Sequence, residues 1–219
     1  MMVMQQAGGG HVQAAGAAPG QLELVRRFVN TLDIEARADE LATAAGLDGW
    51  LLGNGLADAP IRSTSEDQAE AVAMREALRS VLRGHVGSRR AMPGQCGVTE
   101  LHDIAARLPV RLTIEADGRP AFLPAGEGPA ASLTRILLIG AEAAIAGTWE
   151  RLKVCSADDC QWAFYDRSPT HSGCWCSMQI CGSRAKSRAY RSRAAAGQAT
   201  AAGQPTTASR SARTEAQGA

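Results

Sequence analysis

Apolar side chains recur at helical spacing from Leu22 onward. Leu22, Val25, Val29 and Leu32 fall on one stripe and predict a first helix that ends near Asp33. Trp50, Leu51 and Leu52, enclosed between Gly46 and Gly55, predict a short helical turn closed by glycines. Ser65 with Gln68 three residues on makes a capping-box pattern, and Ala71, Met74, Leu78 and Val81 extend it into a helix over about 66–84. A shorter helix capped by Thr99 carries Leu101, Ile104, Ala105 and Leu108 and stops at Pro109. The period then changes from helical to alternating. Val110 to Glu115 reads as a strand, Asp117-Gly118 as a turn and Pro120 to Leu123 as the returning strand, a hairpin near 110–124 that must pack on helices to be stable. Leu133, Leu137, Gly140, Ala144 and Thr148 line one face of a long helix over about 130–150.

The two ends lack such periodicity. Residues 1–20 and 196–219 are dominated by Gly, Ala, Gln, Ser and Thr, which cannot repay the entropy of ordering, so a disordered leader and a disordered tail are expected. Between them lie a helical domain over 21–150 and a short cysteine-containing module over 151–195. The expected fold class is mainly α with a small β-hairpin (α+β). Composition agrees: of 219 residues, 45% are hydrophobic and only 4% aromatic, with alanine abundant. Residues 1–20 have neither a basic n-region nor a sustained apolar h-region, and no apolar run approaches the roughly 18 to 20 residues that span a bilayer. A cytoplasmic protein without membrane insertion is expected.

The net charge of +1 conceals an uneven distribution. Residues 151–193 hold eight Lys or Arg against three Asp, whereas 21–150 is net acidic. The same module holds five of the six cysteines; Cys96 stands apart. Cys155 and Cys160 are separated by four residues, as are Cys176 and Cys181, with fifteen residues between the pairs. Two local pairs across a loop supply the tetrahedral thiolate set that zinc requires. In a reducing compartment such pairs are more often metal ligands than disulfides. Residues 152–165 read as two short strands with the first pair at their knuckle, and 177–193 as a helix that carries Cys176 and Cys181 in its first turns. A hairpin plus a helix is a treble-clef-like finger with one structural Zn2+. Cys174 and His171 stand close enough in sequence to replace a ligand. Trp162, Phe164 and Trp175 are expected as the finger's core, and Asp158-Asp159 as a solvated turn.

The strings VCSADDCQWAFYD (154–166) and WCSMQICGSRAKSRAYRSR (175–193) resemble the CGNR zinc finger. RFVNTLDI (27–34), with the hairpin before the last long helix, resembles the ABATE domain that accompanies this finger in bacterial proteins. The resemblance places the metal ligands on Cys155, Cys160, Cys176 and Cys181, and it implies a transcription regulator. Two positions depart from the pattern. The naming tetrapeptide reads Cys181, Gly182, Ser183, Arg184, with Ser for Asn, and the loop before Trp175, usually basic, reads Thr170, His171, Ser172, Gly173, Cys174.

Arg184, Lys186, Arg188, Arg191 and Arg193 place five cations within eleven residues. Contact with DNA phosphates is one use; balancing the formal charge of −2 on a tetrathiolate zinc is another. At about 100° per residue, Arg184, Arg188 and Arg191 cluster toward Cys181, while Lys186, Tyr190 and Arg193 lie opposite. Arg184 is therefore expected to balance the metal site, and Lys186, Arg188, Tyr190, Arg191 and Arg193 to contact nucleic acid. Four cysteines close the metal's coordination sphere, and no phosphate loop, Ser-His-Asp pattern or HExxH is present, so an enzyme is not expected. The functional expectation is a zinc-dependent DNA-binding transcription regulator, with a homodimer formed through the N-terminal domain. The alternative is a protein–protein interaction module in which the finger is a structural staple.

Overall fold

A computed structural model describes residues 16–86 and 94–202, the side chains of 94–96 and 196–202 excepted. The chain divides after Gly182 into two compact units. In the first, α1 (Leu22–Val29) buries Leu22, Val25 and Val29 of the stripe read from the sequence, and Phe28 besides. It ends short of Asp33 because the side chains of Asn30 and Thr31 take over backbone partners: Thr31 Oγ1 donates to the carbonyl of Phe28 at 2.8 Å. Leu32 consequently opens β1 (Leu32–Asp33), which pairs antiparallel with β2 (Ala38–Asp39). Residues 16–20, assigned by composition to a leader, carry contacts. Ala18 is buried and its N–H donates to Glu23 at 2.7 Å. Residues 1–15 and 203–219 lie outside the described part.

The turn expected around Trp50 is a full helix, α2 (Ala44–Gly53), because Thr43 Oγ1 accepts the Gly46 N–H and starts it earlier. Gly55, at φ +68°, closes it in a Schellman arrangement, with bonds from Leu56 N–H to Leu51 O and from Gly55 N–H to Leu52 O. The capping box of α3 (Ser65–Gly84) is one residue upstream of the Ser65–Gln68 pattern. Thr64 and Asp67 exchange the two bonds, the shorter side chain of Asp67 reaching back to the Thr64 N–H at 2.8 Å. Its buried stripe is Ala71, Met74, Leu78 and Leu82, with Val81 half-buried.

The next helix, α4 (Gly94–Ala105), starts well before Thr99. Gly97 in its first turns permits close packing. A Cβ on Gly97 would stand 2.5 Å from Ser80 Cβ of α3. The hairpin β3 (Val110–Ile114) and β4 (Pro120–Pro124) forms as expected around Gly118 at φ +85°. It is followed by α5 (Gly128–Ile145), whose buried side is Leu133, Ile136 and Ile139 rather than the Leu133–Gly140–Ala144 line. By length and composition α5 could cross a membrane, which corrects the expectation that no apolar run is long enough. In this fold that buried side lies in the common core. A 3-10 turn (Trp149–Arg151) leads to β5 (Leu152–Val154), paired with β6 (Ala163–Tyr165).

Strand alternation gives the β5–β6 hairpin two buried faces. Leu152, Val154 and Ala163 join the core of the helical body, whereas Trp162 and Phe164 join the cysteines. Polar groups of α1 and α3 hold the first face. Asn30 Nδ2 donates to Ala163 O at 3.0 Å, while its Oδ1 accepts the Ala163 N–H at 2.7 Å. Arg79, buried on α3, donates to Val29 O at 2.6 Å and to Gln161 O at 2.9 Å. His85 Nδ1 lies 2.8 Å from Leu152 O. This docking explains why the compact units do not separate at residue 150. Asn30→Ala leaves a buried N–H and C=O of Ala163 without these partners and is expected to destabilise the chain by about 1–3 kcal/mol in urea denaturation. A change under half that size would count against the docking role.

A π-turn (Met178–Gly182) ends the first unit, with the Gly182 N–H bonded to Ser177 O five residues back. The second unit comprises α6 (Ser183–Ala202), so helix continues through seven residues of the expected tail.

Candidate metal centre

The first ligand pair sits where β5 ends. The Cys155 N–H donates to Trp162 O at 2.9 Å, and the chain reverses through Ala157, whose carbonyl accepts the N–H groups of Cys160 and Gln161. Gln161 takes φ +51° to complete the knuckle. The second pair comes from the loop after β6. Cys176 stands two residues before the π-turn and Cys181 lies within it, so neither occupies the first turns of an α-helix as expected.

All four cysteines are buried, and their sulfurs lie within 4.8 Å of one another. Cys160 Sγ is 3.6 Å from Cys176 Sγ, which is 3.7 Å from Cys181 Sγ. A tetrahedron of sulfurs about 2.3 Å from a central zinc has edges of about 3.8 Å, whereas a disulfide requires about 2.05 Å. The four cysteines are not joined in disulfides, and their spacing is that of a metal cage. Their acidities point the same way. Hydrogen bonds from Cys160 and Cys176 pull the Cys155 thiol far down, and those same contacts push the Cys160 and Cys176 thiols up. Burial, then the charge on Cys155, raises Cys181. One thiolate thus opposes the next until a cation offsets them. The donor set fits one structural zinc ion held by Cys155, Cys160, Cys176 and Cys181. Cys174 and His171 are outside the cluster. Cys174 contributes its carbonyl, which accepts the Ser156 N–H at 3.0 Å and ties the knuckle to the second loop.

Trp162 and Phe164 are buried against the sulfurs and Trp175 packs partly over them, the core role expected from the sequence. Asp158 forms an exposed ion pair with Arg83 of α3. A further pair escaped the sequence reading. Lys153 and Asp166 are 2% and 4% exposed at their side chains and meet at 2.8 Å. Lys153 Nζ also donates to the carbonyls of His171 and Gly173, while Asp166 accepts the N–H groups of Ser168 and Gly173. Burial alone would raise the Asp166 carboxyl, but the hydrogen bonds from Lys153 and Ser168 hold it well below the usual carboxylate range. Together they shape residues 166–174, the loop that delivers Cys176. The visible signal was a lysine within an otherwise apolar strand and an aspartate closing the VCSADDCQWAFYD string.

Residues 22–148 match ABATE, a family described as "Putative stress-induced transcription regulator". The chain belongs to the ABATE family. Residues 151–194 match the CGNR zinc finger, so both resemblances hold, in the expected order. No curated protein matches the chain. In this ABATE protein the loop before Trp175 is organised by the Lys153–Asp166 pair. The RFVNTLDI segment supplies Asn30, one of the residues that join the helical body to the finger.

Arg184, Lys186, Arg188, Tyr190, Arg191 and Arg193 all lie on α6, in the second unit. The helical projection started from Cys181 does not extend into α6. Cys181 belongs to a π-turn, whose i to i−5 bonding breaks the 100° step. Within α6 itself, Lys186, Tyr190 and Arg193 share one stripe, and Arg184, Arg188 and Arg191 another.

Proposed function

We propose that this ABATE protein is a cytoplasmic, zinc-dependent DNA-binding transcription regulator in which α6 contacts the phosphate backbone. The observation that carries the reading is the charge of α6: five cations and no acidic residue from Ser183 to Ala202, with Lys186, Arg188, Tyr190, Arg191 and Arg193 exposed. Each phosphate neutralised by such a cation releases condensed counterions, so binding would weaken steeply with salt. The closed tetrathiolate set supports a structural rather than a catalytic metal. A homodimer through the N-terminal domain belongs to the same reading.

A fluorescence-anisotropy titration of duplex DNA at several salt concentrations tests it. The double variant Lys186→Ala/Arg193→Ala is expected to lower the slope of log K against log salt by about 2, at about 0.9 per lost phosphate contact, with zinc content unchanged. Binding without salt dependence, or a slope identical to that of the wild type, would favour the protein–protein interaction module.

A further inference from the structure

The β3–β4 hairpin carries its apolar face outward. Val110, Leu112, Ile114 and Phe122 are 48%, 60%, 64% and 55% exposed. The register, with Leu112 opposite Phe122, Val110 opposite Pro124 and Ile114 opposite Pro120, puts these six side chains on one face. The other face, with Thr113, Ala121 and Leu123, is the half-buried one, and β4 packs beside α5.

The backbone distinguishes the two edges. The Glu115 N–H donates to Arg119 O and the Ala125 N–H to Pro109 O. In an antiparallel pair hydrogen-bonded positions alternate, so the N–H and C=O groups of Val110, Leu112 and Ile114 point to the outer edge of β3. On β4 the outward positions are Pro120, Phe122 and Pro124, and proline has no donor to offer. The β4 edge is therefore blunted in the manner of edges protected against pairing. The β3 edge retains all its donors and acceptors, and among the described residues β3 pairs with β4 alone.

We infer that β3 is a homodimerisation edge, pairing antiparallel with β3 of a second copy about a two-fold axis through Leu112. The strand VRLTI alternates apolar and polar identically in both directions from Leu112, so this register sets Val110 against Ile114 of the partner subunit and keeps every apolar side chain on one face. One open edge and one blunted edge close the assembly at two copies instead of propagating it. Pairing sets Val110, Leu112 and Ile114 of the two copies side by side and merges their apolar faces into one four-stranded face, an edge contact on the scale of a weak, reversible interface. The inference rests on the homodimer reading above and is independent of DNA binding.

Sedimentation velocity on the zinc-loaded full chain tests it. The wild type is expected to sediment as a dimer at about 100 µM, a concentration that populates weak specific interfaces. Leu112→Glu places two carboxylates opposite each other at the axis and is expected to halve the weight-average mass. Leu112→Lys alone does the same, and an equal mixture of the two variants recovers the dimer. Ile145→Glu, on another exposed side chain, leaves the dimer intact. Zinc content and circular dichroism of each variant establish that it is folded. A monomeric wild type overturns both the edge and the homodimer reading. A wild-type dimer indifferent to Leu112→Glu, or a charge-swapped mixture that stays monomeric, overturns the edge alone.

Discussion

Cys160→Ser is expected to abolish stoichiometric zinc binding and to lower the melting temperature of the whole chain by more than about 10 °C. Binding free energies of structural zinc in finger peptides run to about 10–16 kcal/mol, comparable with the entire stability of a typical domain. Even the loss of about 5 kcal/mol corresponds to roughly 10–20 °C in a chain of this size. The effect is not confined to the finger, because the hairpin that carries Cys155 also contributes Leu152, Val154 and Ala163 to the helical core. Elemental analysis gives the zinc ratio and calorimetry the transition. Two separate transitions, with the helical one unmoved by Cys160→Ser or by chelation, would show that finger and body unfold independently and would refute the shared core.

The second large effect is at Lys153. Lys153→Met removes the cation from a buried pair and leaves Asp166 without its main partner, which is expected to cost about 3–5 kcal/mol. The double variant Lys153→Met/Asp166→Leu removes the stranded charge and should recover much of that loss in urea denaturation at saturating zinc. A double variant no more stable than the single one would show that the lysine's stem, not its charge, holds the loop. The pH dependence carries the same signature. In the wild type the folded Asp166 carboxyl lies below its unfolded value, so its contribution is present above about pH 4 and is lost as pH falls through the lower folded value. In Lys153→Met the carboxyl is buried without its cation and shifts upward, so the deficit relative to the wild type shrinks on acidification from pH 7 toward pH 5.

Local chemistry announced itself in the sequence wherever a single stretch of chain was enough. The β3–β4 hairpin followed from alternation around Asp117-Gly118, and α3 from its stripe, although its cap shifted by one residue because Thr64 and Asp67 fit the reciprocal geometry. Differences arise where packing across the fold or a side chain competing with the backbone decides the local structure. The start of α4 before Thr99 is invisible along the chain, because the close approach of Gly97 to Ser80 comes from the fold. Leu32 read as helical because the bond that diverts the backbone at Thr31 competes with helix locally.

The sequence by itself determined the metal. Four cysteines in two short pairs can be read without coordinates, since each pair is brought together by a tight local turn and soft thiolates select zinc. Only the tertiary structure decided what surrounds it. The faces of a three-residue strand depend on what packs above and below, so nothing in LKV or AFY reveals that Val154 and Ala163 belong to the helical core while Phe164 belongs to the sulfurs. The partners of Asn30, Arg79 and Lys153 are set likewise by long-range packing, because a buried polar side chain finds its hydrogen bond wherever the fold leaves a backbone group unpaired.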